Sequence, residues 1–404
     1  MTFAALALAT LAATVAASSE APTDSAAIVA AADRAGQRVE LGGFDFDGLA
    51  ELAPVIGDTD GPRLVLSDKP EYFRTGDGVA LRETVDAGDV RLYLYHVPTP
   101  GAGPKQIAAV AKNSGNGPVS LTFTTAALHG PGGDYHAIGK AGQADLLAGT
   151  LDAGDLDVTL EPGESRLLDP RFAKIQSKTN DLLHGIYEFH TTGPVELSVL
   201  QAGVHDDAAK ATESLPLLPQ VLPGHHASGA GRGVFEQANK TVTIAEPYDT
   251  ADGPRQIIFA DGDNEPWMSG HDSIAAADPE LGEANSLNKG HYGVVYHLTL
   301  PFESTDGRGV ALLAFNPRAG GQWCGKQAVA VRLLSPGTLD TAENGIVELP
   351  DDAVRYDGPP AAVVIQKYEA GDDGTGTIEL LYTPPGASCL PVAFVLMPLP
   401  ADSQ

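Results

Sequence analysis

VSLTFT, residues 119–124, sets Val119, Leu121 and Phe123 against Ser120, Thr122 and Thr124. A strand turns successive side chains to opposite faces, so this pattern reads as a strand with one buried and one polar face. The same period returns at 156–160, where Leu156, Val158 and Leu160 face away from Asp157 and Thr159, and at 195–199, where Val195, Leu197 and Val199 face away from Glu196 and Ser198. Between these runs stand SGNGP (114–118), EPGES (161–165) and TTGP (191–194), turn chemistry at the spacing of an antiparallel sandwich. One segment departs from this period. After Asp134, the residues Tyr135, Ile138, Gly142 and Leu146 recur at helical spacing and predict one short helix over 134–148.

Residues 205–233 carry neither period and are rich in Pro, Gly, Ala and polar residues, which predicts an inter-domain connection. Alternation then resumes with Val242 and Ile244, with Val329, Val331 and Leu333, and with Ile378, Leu380 and Tyr382. The run 392–397 is apolar on both faces and predicts a central strand. A weak internal repeat supports two copies of one architecture: Tyr95-His96 precedes IAAVAKN (107–113), and Tyr296-His297 precedes VALLAFN (310–316). The expected order is a signal peptide (1–17), a tether (18–59), a first β-sandwich (60–205), a linker (206–233) and a second β-sandwich (234–404).

The chain has 404 residues, with 53 acidic against 25 basic side chains and a net charge of −28. Such a surface repels phosphate backbones and anionic lipid, so nucleic-acid binding is excluded as a working hypothesis. Charged residues total 19%, below the usual ~25%, so the imbalance comes from scarce Lys and Arg rather than from a halophilic excess. The apolar run FAALALATLAATVAA (3–17) is shorter than the ~20 residues of a spanning helix. Small residues at Val15, Ala16 and Ala17, followed by polar SSEAPTDS, predict cleavage after Ala17. An Ala-rich tail is the alternative, since the run has no preceding Lys or Arg. Export predicts an extracellular or cell-envelope location (periplasm in a Gram-negative source), with no membrane insertion of the mature chain. Cys324 and Cys389 are the only cysteines, and in an exported protein an isolated pair predicts a disulfide.

VAKNSGNGPVSLTF (110–123) and VTLEPGESRLLDP (158–170) resemble immunoglobulin-like modules of bacterial surface proteins. LSDKPEYF (66–73), GDYHAIGKA (133–141), GIYEFHTTGPVELSVL (185–200), NKGHYGVVYHLTLPF (288–302) and PPGASCLPVAFVL (384–396) are similar to an uncharacterised family of exported bacterial cell-envelope proteins. The resemblance implies two tandem immunoglobulin-like β-sandwich domains and an envelope location. It carries no catalytic signature and implies no functional residue.

The chain has no nucleophile elbow, phosphate loop, dinucleotide fingerprint or zincin helix. His184, Ile186, Glu188 and His190 share one face of a predicted strand, with Tyr187 and Phe189 on the other. Glu188 and His190 could share a metal, but no third or fourth ligand can be identified, and the preferred reading is a solvated outer face opposite a core-facing aromatic pair. His225-His226 reads as exposed connection. Asp261, Asp263 and Glu265 alternate, and Asp272 follows, giving hard oxygen ligands suited to an irregular calcium loop; Pro266 stands where an EF-hand needs Gly. Asp45 and Asp47 are a weaker set of the same kind, and turn carboxylates in an acidic protein are the simpler reading of both. Trp267 and Tyr292 are candidates for stacking on a sugar, whereas Trp323, beside Cys324, reads as core packing.

The leading expectation is therefore a non-enzymatic exported protein with a structural or interaction role, its partner a protein or glycan at the cell surface. A carbohydrate-binding sandwich is the alternative, and a metal-dependent hydrolase a third reading. Peptide mapping of native material without reduction should return Cys324 and Cys389 in one linked species and Ser18 as the N-terminus. Free thiols at both cysteines, or an intact Met1 in a cytosolic fraction, would contradict export.

Overall fold

The computed structural model describes residues 25–401, except 47, 102, 153, 155, 237, 262–271, 273–274, 279–282, 316–325, 328–329, 350–353, 356–360, 388–389 and 391. The protein is all-β, built of antiparallel sandwiches. In the N-terminal sandwich one sheet runs Arg232–Phe235, Arg63–Ser67, Gly88–His96, Leu182–Thr191, Val119–Gly132, Val158–Leu160. It faces a sheet of Gly78–Val85, Val195–Gly203, Lys105–Asn113 and Ser165–Leu167. In the C-terminal sandwich one sheet runs Pro54–Thr59, Asn239–Ile244, Val295–Glu303, Thr375–Tyr382, Ala330–Leu333, Ile346–Glu348. Its partner sheet is Gln37–Glu40, Ala361–Tyr368, Val310–Phe315, Val392–Pro398, Arg255–Phe259.

The alternating stretches form the strands their period predicts. Val119, Leu121 and Phe123 are buried while Thr122 and Thr124 are exposed. Strand Val392–Pro398 is paired on both sides, and Ala393 to Met397 are buried. The predicted helix spans Tyr135–Ala148. Asp134 caps it by accepting from the Ala137 amide at 3.1 Å, and Gly149 ends it in the left-handed region at φ 68°.

The two sandwiches share one topology. In each, a first strand pairs in parallel with the central strand (Arg63–Ser67 with Gly88–His96; Asn239–Ile244 with Val295–Glu303). The central strand then pairs antiparallel with a late strand, Leu182–Thr191 or Thr375–Tyr382. The next strand of each copy crosses to the opposite sheet and pairs there with the last, Val195–Gly203 or Val392–Pro398. Tyr95-His96 and Tyr296-His297 fall on equivalent strands. Their faces differ, however: Tyr95 faces the other sandwich, whereas Tyr296 packs on Phe259 (centroids 5.5 Å apart) in its own core.

The tether and linker expectations need correction. Residues 18–59 contribute the helix Ser25–Ala30 and strands Gln37–Glu40 and Pro54–Thr59 to the C-terminal sandwich. Lys367 Nζ donates to the carbonyls of Ala30 and Ala32 at 2.9 and 2.8 Å, which ends that helix against a cation. Strand Arg232–Phe235, at the end of the expected linker, belongs to the N-terminal sandwich, where it pairs with Arg63–Ser67. The edge strands are thus exchanged. Pro54–Thr59 directly precedes the first strand of the N-terminal copy yet pairs in the C-terminal one, and Arg232–Phe235 does the reverse. Short polar strands show weak periodicity, so tertiary pairing decided what local pattern could not.

The exchange presses one sheet of the N-terminal sandwich against its neighbour. Along Gly88–His96, Val90, Leu92 and Leu94 enter the N-terminal core, while Tyr93 and Tyr95 join the cluster that includes the C-terminal core. Arg91 shares the face of Tyr93 and ties the seam. Its Nη1 donates to Gly293 O (2.7 Å) and Ala238 O (3.1 Å), its Nη2 to Asn239 Oδ1 (3.0 Å), and its Nε to Glu188 Oε1 (2.8 Å). The Arg91 side chain is only 4% exposed. Removing one member of a buried ion pair costs about 3–5 kcal/mol, because the other is left uncompensated. Arg91→Met should therefore lower unfolding stability in urea by about that amount, and Arg91→Met/Glu188→Leu should recover part of it. An Arg91→Met protein as stable as the parent would show that the staple contributes nothing.

Candidate functional site

The face read as a solvated outer surface is the seam itself, and this corrects the expectation. Register pairs His184 with Tyr95, Ile186 with Tyr93, Glu188 with Arg91 and His190 with Asp89. Tyr187 and Phe189 point into the N-terminal core, as predicted. His184 is fully buried; its Nδ1–H donates to Leu94 O at 2.9 Å and its ring lies 4.7 Å from that of Tyr93. Glu188 is held by Arg91 and accepts from Thr125 Oγ1 at 3.1 Å. Only His190 is exposed, 2.8 Å from Asp89. A metal shared by Glu188 and His190 is not favoured, because Arg91 occupies the Glu188 carboxylate.

At the other end of this face, several separate stretches converge. Tyr292 stacks on Tyr93 (5.5 Å, 17°) and Tyr95 (6.2 Å, 30°), and Tyr135 meets Tyr95 edge-on at 6.5 Å. The 384–386 turn closes on them: a Cβ on Gly386 would lie 2.3 Å from the Tyr95 ring and 3.1 Å from Tyr93 Oη. Gly139 of the helix is equally tight, 2.2 Å from Gly386 O by the same measure. The DKPE stretch, 68–71, supplies two carboxylates. Asp68 is buried at the end of strand Arg63–Ser67, its amide donating to Gly231 O (3.1 Å) and its Oδ2 accepting from the Ala230 amide. His96 fixes the loop: Nδ1–H donates to Pro70 O (3.0 Å), so Nε2 accepts from Ser67 Oγ (2.8 Å).

Burial sets the protonation of this cluster. It pushes the Glu71 carboxyl up to about 7, with Arg74 and the Gly229 amide pulling the other way. Burial first, and then the Glu71 charge, hold the Asp68 carboxyl well above the usual carboxylate range. Burial lowers His96 to about 4 and His184 to about 3, so both are neutral imidazoles. The hydroxyls of Tyr93 and Tyr95, the Asp68 Oδ1 and the His184 Nε2 are buried without a hydrogen-bond partner.

Of the residues expected from sequence, Tyr292 belongs to this cluster. Asp261 and Asp272 are brought together, the Asp272 amide donating to Asp261 O at 2.7 Å. The Asp272 carboxylate is engaged, however, by Lys240 (3.0 Å) and by the Tyr296 hydroxyl (2.7 Å), which accepts from His291 Nδ1 (2.6 Å). Asp263, Glu265, Trp267, Asp47, Trp323, Cys324 and Cys389 lie outside the described residues. Asp45 closes a turn on the Gly48 amide at 3.0 Å, and His225 and His226 are exposed. Asp68 and Glu71 were missed. The available signal was a pair of acids around Pro70 directly after RLVLS, a run apolar on both faces.

A cleft of about 430 Å³ opens near the Arg91 end of the seam, lined among others by Glu188, Lys240, His297 and Arg332. Arg332 Nη1 donates to Leu147 O at 3.0 Å, at the C-terminus of the helix, and Lys240 also pairs with Asp58 at 3.0 Å. Its cations are thereby largely engaged by protein oxygens.

No protein-family model matches the chain, and no curated protein matches it. Among solved structures it is similar to the CUB1-EGF-CUB2 region of human MASP-1/3, with a TM-score of 0.17, 8% identity, and 78% of this chain and 99% of that one covered. It is also similar to the CupB6 tip adhesin of Pseudomonas aeruginosa, with a TM-score of 0.16, 7% identity, and 88% and 90% covered. An oxalate decarboxylase of Lactobacillus farciminis scores 0.10 at 9% identity, with 85% and 87% covered. Scores this low carry no argument about function, and the fold rests on the strand pairings above.

The half-buried Glu71 and the buried imidazoles act on stability in opposite senses. His96 and His184 have folded values below their ordinary one, so their contribution is complete above about pH 6.5 and is lost as pH falls toward 4 and 3. Glu71 is raised, so the folded state is penalised at high pH and relieved as pH falls from about 7 to its ordinary 4.5. In metal-free buffer, Glu71→Gln should exceed the parent in urea stability at pH 8 by up to about 3 kcal/mol, and the gap should close by pH 4.5. A constant gap across that range would show that Glu71 does not titrate as described.

Proposed function

We propose that this chain is a non-enzymatic, exported binding protein acting at the cell envelope or in the extracellular matrix, and that its ligand is taken at the seam around Tyr292. The observation that carries this reading is the stack of Tyr292 on Tyr93 and Tyr95 beside buried polar groups without partners. Flat aromatic faces bordered by fixed hydroxyls and carboxylates are the chemistry by which a β-sandwich holds a sugar. A glycan is therefore the ligand class the site supports best. A surface protein is the second reading, favoured by charge: with a net charge of −28 the chain would attract a partner with a basic face. Among the described residues, no helix is long and apolar enough to cross a membrane.

A glycan array probed with the full chain and with Tyr292→Ala tests the reading. At least one glycan class should bind, and Tyr292→Ala should weaken it tenfold or more in protein that circular dichroism shows still folded at the assay temperature, while Tyr292→Phe should keep most of the binding. Glycan binding indifferent to Tyr292 would remove the seam as the site. Absence of glycan binding, with retention of a purified envelope protein, would favour the second reading.

A further inference from the structure

We propose that the cleft at the Arg91 end of the seam is a binding site for a small ligand carrying a single carboxylate, with Arg332 as its anchor. At about 430 Å³ the cleft falls in the size range of small-molecule sites, and residues of both sandwiches line it. Among the described residues its walls hold three Lys or Arg side chains and one acid, in a chain with 25 and 53. Two of those cations are already matched. Glu188 holds Arg91 at 2.6 Å, and Asp58 and Asp272 each hold Lys240 at 3.0 Å. Arg332 forms no ion pair among the described residues. Its one hydrogen bond there, from Nη1 to Leu147 O at 3.0 Å, fixes the guanidinium against a wall of the cleft and leaves most of its five N–H donors open.

Strand register sets the shape of the site. Leu381 is the direct partner of His297 on one side and of Arg332 on the other, so the three side chains share one face of the sheet. With neighbouring strands ~4.8 Å apart, His297 and Arg332 stand roughly 10 Å from each other across Leu381. Val295, two residues before His297, extends the apolar floor on the same face, and Leu146 and Leu147 of the helix Tyr135–Ala148 line the cleft from the other sandwich. An apolar floor beside one planar, forked cation suits a carboxylate, which accepts two parallel N–H bonds from a guanidinium. The carboxylates paired with Arg91 and Lys240 stand close by and disfavour a ligand with a second negative charge, such as phosphate. An acidic sugar and a free organic acid share the required chemistry. The cleft is separate from the stack of Tyr292 on Tyr93 and Tyr95, none of which lines it.

The test is calorimetric titration of the full chain with glucuronate, glucuronamide, lactate and inorganic phosphate. Glucuronate should bind, and glucuronamide, which lacks the charge, should bind about tenfold more weakly or worse. Phosphate should bind no better than the amide. Arg332→Gln should weaken glucuronate about tenfold or more in protein that circular dichroism shows still folded, and Arg332→Lys should recover only part, since an ammonium keeps the charge but not the fork. Tyr292→Ala should leave glucuronate binding unchanged, which separates this site from the one proposed above. Lactate bound as tightly as glucuronate would support the site as one for free organic acids, and lactate bound more weakly would support it as one for an acidic sugar. Absence of binding by both acids, an amide or phosphate bound as tightly as the acids, or glucuronate binding that is unchanged in Arg332→Gln or lost in Tyr292→Ala would overturn the assignment.

Discussion

The crossing of two short links, 60–62 and 236–238, governs how the rest of the chain packs, because each joins a strand of one sandwich to a strand of the other. A link this short cannot let its flanking strands drift apart. Both sheets that receive an exchanged edge strand are therefore held at the seam, and Arg91 is anchored there, bonded to Ala238 and Asn239 at the second link. Independent tandem domains would have a small polar interface and relative motion. Here the exchange gives the interface the character of a core, with Leu64, Leu66, Tyr93, Tyr95, Leu182 and Ile186 clustered with residues of the C-terminal sandwich.

That enclosure explains the chemistry of the site. A sheet face open to water would leave His184 and Glu71 near their ordinary protonation. Closed under a second sandwich, the same residues lose solvent, so imidazoles are driven neutral and carboxylates toward the protonated form. Glycines at 139, 229 and 386 make the closure possible, since any Cβ there would meet backbone or a tyrosine ring well inside contact distance. The helix Tyr135–Ala148 adds to the closure: Gln143 Oε1 accepts from the Ala330 amide at 2.6 Å and its Nε2 donates to Thr383 O, both across the seam.

Shared topology in both halves, with reciprocal exchange of the strand before each copy, fits duplication of one module followed by strand exchange within the chain. Only one copy acquired the tyrosine face. The strand equivalent to Gly88–His96, Val295–Glu303, turns Tyr296 into its own core and presents Val295 and His297 to the cleft. The two modules thus play unequal parts at the site: one supplies most of the cluster, while the other contributes Tyr292, the 384–386 turn and the cover.

Period-two alternation determined the strands at 119–124, 195–199, 239–244 and 375–382, and an Asp134 cap with a Gly149 stop determined the helix. These depend on local preference and on which side of a strand meets water, both written in neighbouring residues. The aromatic character of Tyr292 likewise marked it from sequence alone. The partners of Pro54–Thr59 and Arg232–Phe235, and the burial of the His184 face, depended on contacts across more than a hundred residues. A strand's sequence records that one face is covered but not by which sheet. Asp68 and Glu71 therefore read as ordinary turn acids until tertiary packing brought Tyr93, Tyr95 and Tyr292 around them and removed the water that would otherwise have made them unremarkable.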